Sequence, residues 1–146
     1  MNKHALNMYR QMFTSLKRGN IKGVFSNAKP IFIITLLDLI DHHFRNNAIK
    51  WSDETLEHQY LMNFVRYDSN KPTPLWKPFY YLGSEPFYYL HWNENLAIQQ
   101  LKQPSAKFLR ENLAYAKLDD DLWELLQDER NREYLKNCLI DYYLKP

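Results

Sequence analysis

The sequence predicts an α+β fold dominated by helix and built around one small antiparallel hairpin. Three features carry this. Apolar residues recur at spacings of three and four in several separate runs. One run, Ile31-Phe32-Ile33-Ile34-Thr35-Leu36-Leu37-Asp38-Leu39-Ile40, is apolar nearly all round, as in a buried central helix. The pentapeptide Pro-Phe-Tyr-Tyr-Leu occurs twice, at 78–82 and 86–90, around Gly83-Ser84-Glu85. The chain's 146 residues fit one domain spanning 1–146.

The elements follow in order. Residues 4–18 read as an amphipathic helix with Leu6, Tyr9, Phe13 and Leu16 on one side, ended by Gly19. Residues 20–27 read as a loop. Ser26 or Asn27 caps the central helix, which runs from Pro30 to about Phe44 with the proline in its first turn. Ala48–Trp51 is a short extended piece. Ser52 caps a third helix bearing the stripe Leu56, Tyr60, Phe64 and Tyr67. A polar loop, Asp68–Pro74, precedes the hairpin. Alternation and β-forming residues give strands at Phe79–Leu82 and from Phe87 to His91 or Trp92, with a proline where each begins. A second polar loop covers 93–103. Ser105 caps a short helix to about Asn112, Asp119 caps one over Asp120–Gln127, and Asp128 caps the last, Glu129–Leu144. Helices over a small sheet, with the hairpin as a wing, make residues 30–92 winged-helix-like.

Composition narrows the function classes. No apolar run reaches the roughly 18–20 residues of a membrane span, and the N-terminus lacks the apolar region of a signal peptide. A cytoplasmic protein without membrane association is expected. Cys138 is the sole cysteine, which excludes a disulfide framework and a thiolate metal site. Residues 1–50 carry eight Lys/Arg against Asp38 and Asp41. This basic third suits either an anionic partner such as nucleic acid or a merely solvated surface.

No catalytic constellation emerges. His42 and His43 are adjacent, so on a helix they diverge by about 100° and do not share a metal readily. Asp119-Asp120-Asp121 stands where a helix begins, where carboxylates stabilise exposed N–H groups. Cys138 lies among Leu135, Leu139 and Ile140 as a small core residue. Glycine-rich phosphate loops and zinc-protease or serine-hydrolase motifs are absent. No cofactor and no metal site is expected. The hairpin's two faces remain: one packs on the central helix, and the other is either covered by the terminal helices or displays tyrosines to a partner.

An ordered set of segments over residues 25–144 resembles the sulfur-binding domain of HNH-type modification-dependent restriction endonucleases. The set comprises Lys29-Pro30 leading into the apolar helix, Lys77-Pro78-Phe79-Tyr80-Tyr81-Leu82, Phe87-Tyr88-Tyr89-Leu90, Pro104-Ser105-Ala106-Lys107-Phe108-Leu109-Arg110 and Tyr115–Leu126. The resemblance implies a reader of double-stranded DNA whose backbone carries phosphorothioate, bound through a shallow apolar sulfur pocket. By that resemblance Pro78 forms the pocket core, Tyr81 lines it, Lys29 contributes a basic group, and Lys107 or Arg110, near Ser105, holds the phosphate. Lys77 stands where the family carries an aromatic, Tyr81 is bulky, and Trp76 is a neighbouring aromatic wall. The family's nuclease activity belongs to an HNH module. Its His/Asn/His arrangement is absent here, so the chain reads as a binding module and not an enzyme. Base contacts would come from the 68–77 and 93–104 loops. The competing reading is a generic winged-helix domain that binds protein or unmodified DNA.

Overall fold

A helix apolar on every side must be covered on every side, and this requirement organises the molecule. The computed structural model describes residues 3–93 and 103–145. Helix α1 (Lys3–Phe13) is followed by a two-residue strand pair, β1 (Asn20–Ile21) and β2 (Val24–Phe25). The central helix α2 (Ala28–Leu39) has every residue buried except Asp38. Next come α3 (Glu54–Tyr67), α4 (Trp76–Tyr81) with a 3₁₀ turn at Leu82–Ser84, and β3 (Tyr88–Trp92). After residues 94–102, which lie outside the described region together with most of the expected second loop, come α5 (Ala106–Asn112), β4 (Leu113–Leu118), α6 (Asp120–Leu125) and α7 (Glu129–Leu139). One π turn, Ile140–Leu144, extends α7. The helix-dominated α+β class is as the sequence predicts.

Helices α3, α4 and α7 pack on α2. At its centre the Phe32 ring meets Tyr60 of α3 at 6.5 Å, Phe79 of α4 at 5.7 Å and Tyr88 of β3 at 6.0 Å. The two tyrosines keep their hydroxyls satisfied, as buried phenols must. Tyr60 donates to the Thr73 carbonyl at 2.8 Å and Tyr88 to the Phe79 carbonyl at 2.7 Å. Burial holds the Tyr88 phenol well above its ordinary range. Asp38 is satisfied from two sides, by Lys136 of α7 at 2.8 Å and Asn63 of α3 at 3.0 Å.

The hairpin expectation is overturned. The first Pro-Phe-Tyr-Tyr-Leu copy is helical, not a strand, and β3 pairs instead with β4, a strand not foreseen. Leu75, Pro78, Phe79 and Leu82 are buried while Lys77 and Tyr81 are exposed, a period of three to four. Pro78 occupies the helix's first turn, where its missing N–H has no intrahelical partner to lose. The second copy follows an extended Glu85 and does form a strand. In the β3–β4 ladder Tyr88 opposes Leu118 and Leu90 opposes Ala116 on the inner face. Tyr89 opposes Lys117 and His91 opposes Tyr115 on the outer. Ile49 adds a single bridge to Ala116, all that remains of the expected extended piece.

Boundaries also shift. The central helix stops at Leu39 rather than near Phe44, because Ile40 is extended and Asp41 takes a positive φ of 89°. Asp53, not Ser52, caps α3 by accepting the Leu56 N–H, and it also takes His43 Nε2 at 2.7 Å. Asp119 sits at the start of α6, but its carboxylate accepts the Tyr9 and Tyr89 hydroxyls at 2.6 and 3.3 Å instead of a capping N–H. Ser105 and Asp128 cap as foreseen.

The helical assignment of 76–81 separates two residues that a strand would place on one face. Phe79→Ala should cost about 3–5 kcal/mol through cavity formation, whereas Tyr81→Ala should cost less than about 1 kcal/mol. Urea denaturation of both variants measures this, and equal losses would contradict the helix. Tyr88→Phe, which removes one buried hydrogen bond, should cost about 1 kcal/mol in the same assay.

Candidate nucleic-acid interface

A helix at 76–81 brings together what a strand would have split. Residues three and four apart share a helix face, so Lys77, Pro78 and Tyr81 are neighbours. On a strand Pro78 and Tyr81 would point to opposite sides. Tyr81 is 47% exposed. Its ring lies 6.4 Å from Trp76 and 5.0 Å from Tyr80, and the Lys77 ammonium lies 5.8 Å from the Trp76 ring. The result is an aromatic patch beside an exposed cation. Pro78 itself is buried, so the ring offers a ligand little surface of its own.

Helix α5 packs against α4 through Trp92, whose ring meets Tyr80 at 6.1 Å and Phe108 at 5.4 Å. Lys107 and Arg110 are exposed on α5. Ser105 sets the start of that helix by accepting the Phe108 N–H on Oγ at 3.0 Å, which leaves its own O–H as a donor. Among the described residues Lys77, Lys107 and Arg110 form no ion pair, and neither do Lys17, Lys22 and Lys71.

Lys29 is placed differently. Its side chain is 10% exposed and its ammonium lies 2.8 Å from Glu85 Oε2, with Ser84 Oγ at 3.1 Å. Ser84 in turn donates to the Tyr81 carbonyl at 3.0 Å. The Lys29 charge is thus neutralised behind the C-terminal end of α4, where a cation is also favourable for the helix dipole. It braces the segment that carries Lys77, Pro78 and Tyr81 and does not face solvent as Lys77 and Tyr81 do. Glu85 is 5% exposed and also accepts the Lys17 N–H at 2.9 Å. Sequence reasoning passed over this residue. Its signal was modest: a carboxylate inside a hydrophobic aromatic stretch is expensive to bury unless paired.

The outer face of the sheet is a second aromatic surface. His91 and Tyr115 stack at 4.6 Å with 10° between their planes, next to exposed Tyr89. Lys117 there is paired to Asp120 at 2.7 Å, and Asp119 lies alongside, so this face is not a bare cationic one. Burial, then Asp119, pushes the Tyr9 hydroxyl well above its usual range, which keeps it a donor to that carboxylate. Among the described residues no group of three or more His, Cys, Asp and Glu side chains is arranged to hold a metal ion. No described helix is long and apolar enough to cross a membrane.

No protein-family model matches the chain. No curated protein matches it in sequence. Among solved structures it is similar to the sulfur-binding domain and SRA domain of ScoMcrA complexed with phosphorothioated DNA, with a TM-score of 0.70 at 13% identity. The match covers 92% of this chain and 42% of that one. The chain therefore shares a fold with part of a protein seen on phosphorothioated DNA.

Proposed function

We propose that this chain is a single DNA-binding module that reads phosphorothioate in the backbone of double-stranded DNA, and that it binds without catalysing. The observation that carries the reading is the fold shared with a structure solved on phosphorothioated DNA. The α4 surface supports it, because Trp76 and Tyr81 set aromatic rings beside Lys77, a cation with no ion pair among the described residues. Sulfur is larger and more weakly hydrated than a phosphate oxygen. An oxygen pressed against those rings loses water and gains no hydrogen bond, at a cost of about 1–3 kcal/mol. Sulfur loses less, so selection works largely by penalising the plain phosphate. Lys77, Lys107 and Arg110 bind either backbone and contribute affinity without modification specificity. Coupling to an HNH nuclease module, within a restriction system in the cytoplasm, is the setting this reading implies.

Fluorescence anisotropy on matched duplexes tests it. The phosphorothioated duplex should bind at least about tenfold tighter than the plain one, and equal binding would refute the proposal. Tyr81→Ala should shrink that ratio more than it weakens binding to plain DNA. Lys77→Ala and Lys107→Ala should each weaken both duplexes alike and lower the salt slope by about 1. Lys29→Ala should act by another route. It strands Glu85 without its cation, so stability should fall by about 3–5 kcal/mol while the salt slope of the folded fraction stays unchanged.

A further inference from the structure

The segment expected to be a loop at 20–27 is a hairpin, and neither the core nor the α4 surface accounts for its make-up. Asn20–Ile21 and Val24–Phe25 pair around Lys22 and Gly23, whose φ values of 53° and 84° make the two-residue turn that matches strand twist. The Gly23 N–H donates to Asn20 Oδ1 at 2.9 Å, and the Ser26 N–H closes the base on the Gly19 carbonyl at 2.8 Å. The loop is therefore preorganised. Val24 and Phe25 are nonetheless 66% and 52% exposed. Residues 17–25 carry Lys17, Arg18 and Lys22 and no acid. The Arg18 guanidinium is held between the Phe25 and Tyr143 rings at 4.9 and 4.6 Å, which fixes both the cation and the Phe25 ring.

The hairpin's position is equally defined. On one flank the Lys17 N–H is bonded to Glu85. On the other, Asn27 donates to Asp68 at 3.2 Å and accepts from Arg18 at 3.3 Å. Asp68 and Glu85 bracket the segment that holds Lys71, Lys77, Pro78 and Tyr81. The hairpin thus springs from both ends of the candidate DNA-binding segment.

We infer that the hairpin Asn20–Phe25 is a second DNA-contacting element, a small wing that engages the duplex flanking the modified step. Lys22 at its tip meets phosphate, and the Phe25 ring, held on Arg18, lies against the sugar edge of the groove. Such contacts carry neither sequence nor modification information; they add affinity and orientation. The inference rests on the DNA-binding reading above, but not on its specificity for sulfur.

The test uses a long and a short duplex, each plain and phosphorothioated, in anisotropy titrations over a range of salt. The doubly substituted Lys22→Ala/Phe25→Ala protein should bind both long duplexes about 3–10-fold more weakly. Its salt slope should be lower by about 1. Its modified-to-plain ratio should be unchanged, and binding to the short duplexes should be nearly unaffected. Lys22→Glu at the exposed tip, which leaves Phe25 packed on Arg18, should give a larger loss on the long duplexes, and its thermal melt should match that of the unaltered protein. Unchanged affinity of both variants for the long duplexes overturns the wing, as does an unaltered protein that binds no DNA. An unaltered protein that binds both backbones equally, yet weakens on the hairpin substitutions, refutes the sulfur reading and leaves the wing standing.

Discussion

Everything in this fold answers to the Phe32 ring and the helix that carries it. Apolar on all sides, α2 is only partly buried by one covering layer; its full burial needs partners around the circumference. Helix α3, helix α4 and strand β3 each bring one aromatic to the same ring, and α7 closes the remaining side. Such rings meet tilted or edge-on, which suits their quadrupoles and locks their orientation. The polar residues on α2 are answered in place. Thr35 bonds back to Ile31, and Asn63 bridges Thr35 to Asp38. A central helix satisfied in this way leaves its neighbours little freedom to slide.

That constraint also explains why two identical pentapeptides fold differently and touch. Phe79 of the first and Tyr88 of the second both pack on Phe32, at 6.3 Å from one another, with a hydrogen bond between them. Phe79 reaches Phe32 from a helix and Tyr88 reaches it from a strand, so each copy presents a different set of remaining residues outward. The helical copy presents Tyr81, beside Lys77. The extended copy presents Tyr89, beside His91. The asymmetry of the repeat follows from its secondary structure and not from its letters.

Much of this was legible in the chain. The all-apolar central helix, the Leu56/Tyr60/Phe64 stripe and the caps at Ser105 and Asp128 are local signals, and they hold. The 79–82 segment was misread as a strand because the strand preference of Phe and Tyr is modest, and burial against α2 outweighs it. Leu75, one residue before the observed helix, completes the helical period and was the available clue. Strand β4 was missed because Leu113–Leu118 includes two alanines, poor strand formers, and its pairing with β3 is a non-local contact that no local pattern announces. The candidate site residues Lys77 and Tyr81 were named for a resemblance. Their adjacency depends on the helix, which the strand reading would have denied them. The burial of Lys29 was invisible because its partner lies 56 positions away.

The Lys29–Glu85 pair has a consequence for how this fold can diversify. A buried cation and its acid neutralise one another, so neither can change alone without exposing the other to an apolar surrounding. Positions 29 and 85 should therefore drift together among chains of this fold, as matched opposite charges or as a matched apolar pair. A chain that keeps the cation at 29 and lacks the acid at 85 would have released that charge for a ligand. One glance at position 85 would then tell whether the basic residue entering the central helix serves the scaffold or a ligand.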